Sequence, residues 1–110
     1  MDLQKGKLFP DIEVEAQDGQ RHRLWDFRQK THLLLVCGSA GEALASLERN
    51  KKALDWLSVR VIATPTVPPG LAARAYGIDR YGELLESYEL DGSLAERVEK
   101  DFTYYESCHC

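Results

Sequence analysis

Cys108-His109-Cys110 holds two of the chain's three cysteines and one of its three histidines in consecutive positions. A thiolate is both a nucleophile and a soft metal ligand, and an exposed one oxidises, binds metals or exchanges disulfides. As a redox pair, one of Cys108 and Cys110 attacks a disulfide or peroxide and the other resolves the adduct. A disulfide between cysteines one residue apart closes a tight ring, which makes the oxidised form oxidising and readily reduced. His109, when protonated, favours the thiolate of its neighbours. As a metal site, Cys108, His109 and Cys110 supply two thiolates and an imidazole, a set suited by softness to Zn²⁺ or Cu(I). Three adjacent residues rarely close a tetrahedron, so a fourth ligand has to come from elsewhere. The remaining reading is a frayed end without chemistry.

Cys37 is the third thiol. It ends the apolar run Leu33-Leu34-Leu35-Val36-Cys37, just before Gly38 and a predicted helix start. In a catalytic role it would be a thiolate stabilised by that helix's dipole. The reading more typical of free cysteines in strands is a small core hydrophobe. His22 and His32 are isolated and read as surface or strand-edge residues, and Asp79, Arg80 and Glu83 read as turn formers. No phosphate-cradling glycine loop and no serine-hydrolase elbow is present.

The elements that must position these residues are legible from periodicity. Asp11-Ile12-Glu13-Val14-Glu15 alternates as a half-buried strand, Asp18-Gly19 marks a turn, and Gln20 to Leu24 returns as a hairpin arm. Trp25-Asp26-Phe27 begins a short turn or helix whose aromatics are expected beneath the sheet. The run from Leu33 to Cys37 fits a strand buried on both faces. Ser39 and Glu42 have capping-box spacing. Leu44, Leu47, Lys51 and Leu54 then predict a helix over 40–56, with Lys51 at the rim of the stripe. Val59 to Thr64 is a β-branched strand, ended by Pro65, Pro68, Pro69 and Gly70. Leu71 to Asp79 fits either a short helix or a strand. The turn signal at Arg80-Tyr81-Gly82 favours a hairpin, 73–79 paired with 83–89. A last helix starts at Asp91-Gly92-Ser93, with Leu94, Val98, Phe102 and Tyr105 on one face, and the Cys-His-Cys segment begins at about 107.

Composition bounds the rest. The chain has 110 residues, 44% hydrophobic and 29% charged, with a formal net charge of −4. That fits one domain over 1–110 with a single core. The negative balance gives no footprint for nucleic acid. The longest apolar run is far too short to cross a membrane. Residues 1–5 form no apolar signal segment, so the expected location is the cytoplasm, where thiols stay reduced. The odd cysteine count also argues against a disulfide scaffold.

Hairpin, strand, helix, strand, Pro-rich connection, hairpin and helix is an α/β order with a right-handed β-α-β crossover. At this point the chain resembles the thioredoxin-like superfamily, in its redoxin (peroxiredoxin and alkyl hydroperoxide reductase-like) branch. The residues that carry the resemblance are Gly6-Lys7-Leu8-Phe9-Pro10-Asp11, Asp18-Gly19, Leu24-Trp25-Asp26-Phe27, the strand Leu33 to Cys37 and the hairpin Asp79-Arg80-Tyr81-Gly82-Glu83-Leu84. The resemblance implies a central mixed β-sheet flanked by helices, a proline before the closing hairpin that is typically cis (Pro68 or Pro69), and thiol chemistry at the first turn of the helix after the core strand. Here that turn reads Gly38-Ser39-Ala40-Gly41-Glu42-Ala43-Leu44, with Gly41 and Leu44 where a thioredoxin pair would stand. It contains no cysteine. The connection before the closing hairpin is also short, because the family normally places a helix there. The expected function is therefore thiol–disulfide redox chemistry of redoxin type through Cys108 and Cys110, with Cys37 as the lesser candidate and no cofactor. Its partners would be protein thiols or disulfides or a small reductant, with a homodimer left open. The alternatives are a non-catalytic thioredoxin-fold binding or dimerisation module and a Zn- or Cu-binding Cys108-His109-Cys110 segment.

Overall fold

The computed structural model describes residues 3–108. In chain order the elements are β1 (Glu13–Glu15), β2 (Arg21–Arg23), a 3-10 turn (Leu24–Phe27), β3 (His32–Cys37), α1 (Gly41–Arg49), α2 (Lys51–Trp56), β4 (Val59–Thr64), β5 (Ala75–Ile78), β6 (Leu84–Tyr88) and α3 (Leu94–Cys108). β1 and β2 form a hairpin of their own, and the main sheet runs β4-β3-β5-β6. β3 and β4 are parallel, with His32 opposite Val59 and Cys37 opposite Thr64. β5 is antiparallel to β3, and β6 to β5. The expected mixed sheet with a crossover helix is thus the observed one.

β3 is the centre of the sheet, and all six of its side chains are buried. Successive side chains of a strand point to opposite faces, so this run demands two covers. Leu34 and Val36 pack with Leu47, Leu54, Leu94, Val98 and Phe102 beneath the three helices. Leu33, Leu35 and Cys37 pack with Phe9, Val14, Leu24, Ile62, Tyr76 and Ile78. The second cover is therefore built by the N-terminal segment and the β1–β2 hairpin. Backbone bonds from Gly6 N to Leu84 O, Leu84 N to Lys7 O and Phe9 N to Gly82 O fasten that segment along β6.

α3 comes close to β5 because position 77 has no side chain. A Cβ there would stand 3.3 Å from both Phe102 and Tyr88. Phe102 is fully buried in this contact, as are Val98 and Leu94 one and two turns earlier. The stripe read from the sequence is the packed face.

Several local expectations need correction. The helix predicted over 40–56 is two helices, because Asn50 leaves the helical conformation at φ −111°. Its side-chain amide donates to the Ser46 carbonyl at 2.8 Å, offering the backbone a competing partner. Ser39 does not cap α1. Ala40 stands at the N-cap and no side chain bonds there. Trp25 is not beneath the sheet but exposed, with the Arg28 guanidinium 4.8 Å from its ring centre. The closing hairpin is confirmed with shorter arms. No peptide bond among the described residues is cis, so Pro68 and Pro69 are trans.

Phe102→Ala should lower the unfolding free energy by about 3–5 kcal/mol, the usual cost of truncating a buried phenylalanine. Urea denaturation checks it. The midpoint should fall without a change in slope.

Candidate functional site

β3 carries a titratable residue at each end, and the two ends form different environments. They lie five strand steps apart, about 16 Å.

At the α1 end, Gly38 turns the chain with φ +96°. A Cβ at this position would meet Ala73 at 3.3 Å and Val67 at 3.4 Å, so a glycine lets the 65–74 connection close against the turn. Gly38 N donates to Thr64 O and Cys37 N to Arg74 O, both at 2.9 Å. This is where the sequence resemblance implied a reactive thiol, and the turn itself has none. Cys37 lies just before it but is fully buried on the face away from the helices. Burial pushes its thiol up to about 11. The side chain therefore stays protonated at neutral pH, as a core hydrophobe does.

At the opposite end, His32 is 0% exposed. The sequence expectation of a surface or strand-edge histidine is overturned here. Its Nδ1 accepts the Arg80 backbone N–H at 3.1 Å, and its Nε2 stands 2.5 Å from Glu106 Oε1. Since Nδ1 is used as an acceptor, Nε2 carries the proton and donates to Glu106. The Arg80 guanidinium closes on the same Glu106 oxygen. Phe102 and Tyr105 pack on the imidazole with ring centres 4.8 and 5.2 Å away.

Burial holds His32 below the ordinary histidine value, against the pull of Glu106 and Asp79 and with the help of Arg80. The His32 hydrogen bond holds Glu106 below the usual carboxylate range. Asp79 is bound by the backbone N–H groups of Tyr81 and Glu83, at 2.9 and 3.0 Å. Its expected role as a turn former is confirmed. Tyr105, buried beside Asp79 and hydrogen-bonded to it, is pushed up to about 12.

Glu106 lies in the last turn of α3, and Cys108 is the final residue of that helix. The structure thus places Cys37 and the start of the Cys-His-Cys segment at opposite ends of β3 and does not bring them together. His109 and Cys110 lie outside the described residues. His22, half-buried on β2, stacks on Phe27 at 5.9 Å. It borders a groove along the outer edge of β4, about 680 Å³ in volume, that contains no cysteine. No group of three or more His, Cys, Asp or Glu residues able to hold a metal is found among the described residues. No helix among them is long and apolar enough to cross a membrane.

Sequence reasoning missed the His32–Arg80–Glu106 cluster. Its partners are 48 and 74 residues from His32 along the chain, beyond any local periodicity. The one available signal was a histidine flanking a fully apolar strand run.

No family model matches the chain, and no curated protein matches it. Solved structures do. A peroxidoxin, BcpB, from Mycobacterium tuberculosis aligns with a TM-score of 0.74 at 11% identity, covering 94% of this chain and 98% of that one. The thioredoxin domain of a thiol-disulfide oxidoreductase from Bacteroides vulgatus gives 0.66 at 14%, covering 90% and 98%. Xylella fastidiosa PrxQ, solved as a mutant, gives 0.71 at 9%, covering 96% and 99%. The shared feature is the fold: this chain has a thioredoxin-like α/β fold, with a turn at 38–44 that contains no cysteine.

Cys37 should resist alkylation at pH 8 in the folded protein and react fully once the protein is unfolded in denaturant. Mass spectrometry of the labelled peptides checks it. Rapid native labelling of Cys37 would show that the 65–74 connection opens readily over the strand end.

Proposed function

We propose that this protein carries out thiol–disulfide exchange through Cys108 and Cys110, in place of the α1 turn where the sequence resemblance implies thiol chemistry. The observation that carries the reading is the position of Cys108. It closes a fifteen-residue helix whose last turn is bound to the sheet through Glu106. The pair therefore has a fixed point of departure, whereas the α1 turn has no thiol and Cys37 is sealed and protonated. The likeness to peroxidoxin and oxidoreductase structures supports the reading at the level of fold.

In the forward direction one cysteine, as thiolate, attacks a sulfur of the substrate disulfide. A mixed disulfide forms and the first substrate sulfur leaves as thiolate. The second cysteine, having lost its proton to solvent, attacks the protein sulfur of that mixed disulfide. The second substrate sulfur leaves, and the Cys108–Cys110 disulfide closes. Two electrons have passed to the substrate, and a dithiol reductant restores the pair. Substrates of this kind are protein disulfides or small disulfides. Peroxide reduction by the same pair is the lesser variant, and a reducing compartment such as the cytoplasm suits the chemistry. Zn or Cu(I) held by Cys108, His109 and Cys110 is the alternative use of the same donors.

A second reading is favoured by the cysteine-free turn itself: a non-catalytic thioredoxin-fold module that binds a protein or a second copy. Disulfide-reductase turnover with a dithiol reductant separates the two. The Cys108→Ser/Cys110→Ser double variant should lose turnover to the background rate, while Cys37→Ala should retain it. Full turnover in the double variant, or none in the unaltered protein, would overturn the exchange reading.

A further inference from the structure

We propose that His32, Arg80 and Glu106 form an acid-released latch that holds the last turn of α3 on the sheet and so fixes where Cys108 leaves it. Three elements meet in this cluster: the start of β3, the β5–β6 turn and the end of α3. Tyr105 packs the same end of the helix beside Asp79, and the cluster adds its charged contacts. A helix C-terminus carries partial negative charge and unpaired carbonyls. The last turn of α3 contains no basic residue. The compensating cation comes from another element, as Arg80 in the hairpin turn, and it binds Glu106 at the helix end.

The neutral imidazole is the part that makes the latch responsive. Nδ1 accepts from the Arg80 backbone and Nε2 donates to Glu106, so both ring nitrogens are used only while His32 is uncharged. A proton added at Nδ1 puts two donors face to face and removes the acceptor that the Arg80 N–H uses. It also places a positive ring beside the Arg80 guanidinium, whose Nη2 is 3.2 Å from Nε2.

The groups facing the ring are few. Glu106 and Asp79 favour the charged form. Arg80 and burial oppose it, with burial the largest effect, and Phe102 and Tyr105 contribute ring faces without charge at neutral pH. The sign follows from linkage. A histidine held below its unfolded value contributes stability that is complete above that value and is lost as pH falls through the folded one. Acid therefore loosens the end of α3, and alkali does not.

The latch is a positioning device, and its bearing on exchange chemistry rests on the function proposed above. Its test does not. Hydrogen exchange of the full-length protein, corrected for the intrinsic pH dependence of exchange, is measured at pH 7.5 and pH 5 for peptides spanning 94–102 and 103–108. Protection of 103–108 should fall several-fold more than that of 94–102 on acidification. His32→Gln keeps a donor toward Glu106 but cannot titrate, so it should abolish the difference. Arg80→Gln should weaken protection of 103–108 at both pH values. An equal response of both peptides, or an unchanged response in His32→Gln, overturns the proposal. Should His32→Gln fail to fold, the imidazole resonance of the unaltered protein decides. It should titrate below free histidine, and titration at or above that value overturns the latch. Neither result depends on turnover, so the latch can fail while the cysteine pair is active, or hold while the pair is inert.

Discussion

A strand with no exposed side chain is the constraint from which the rest of this protein follows. β3 presents six buried residues to two faces, and burying a large aliphatic side chain is worth about 1.5–3 kcal/mol relative to leaving it in water. Neither face can be left open. The helices cover one, through Leu47, Leu54, Val98 and Phe102. The N-terminal segment and hairpin cover the other, through Phe9, Val14 and Leu24. The 65–74 connection holds no helix and adds Val67 and Leu71 to that second cover.

The same constraint decides the chemistry at each end of the strand. Cys37 is sealed beneath the second cover, and desolvation holds its proton. His32 is drawn into the interior by the strand that follows it, and a buried imidazole must find partners for both nitrogens. Those partners are the backbone of the β5–β6 turn and a carboxylate from the last turn of α3. One end of β3 thus has a buried thiol that desolvation holds protonated. The other end has a polar cluster that secures the helix on which Cys108 stands. The proposed exchange chemistry would sit at this second end, with the fold unchanged.

The features legible in the sequence were those governed by local pattern. The unbroken apolar run of β3, the Asp18-Gly19 turn dipeptide and the 3.6-residue stripe Leu94–Val98–Phe102–Tyr105 each encode their element locally. The absence of cysteine from 38–44 was equally plain. Features governed by competition between local partners were not legible. The Asn50 amide shares the Ser46 carbonyl with its own backbone N–H, at a break where the leucine spacing alone supports one helix, and the Ser39/Glu42 pair has capping spacing without adopting the geometry. Least legible was the burial of His32, which depends on residues brought together only by the completed sheet and helix. A histidine beside an apolar run reads as an edge until Arg80 and Glu106 arrive.

The central claim is that the working thiols are Cys108 and Cys110. Intact-mass measurement with thiol alkylation and peptide mapping, on mild oxidation, after reductant and in the presence of chelator, tests it most directly. The account predicts a loss of about 2 Da, two hydrogen atoms, confined to the peptide that contains both residues and reversed by reductant, with Cys37 unlabelled throughout. A segment whose two thiols stay free and alkylate slowly under mild oxidation, or a disulfide that enlists Cys37, would contradict it.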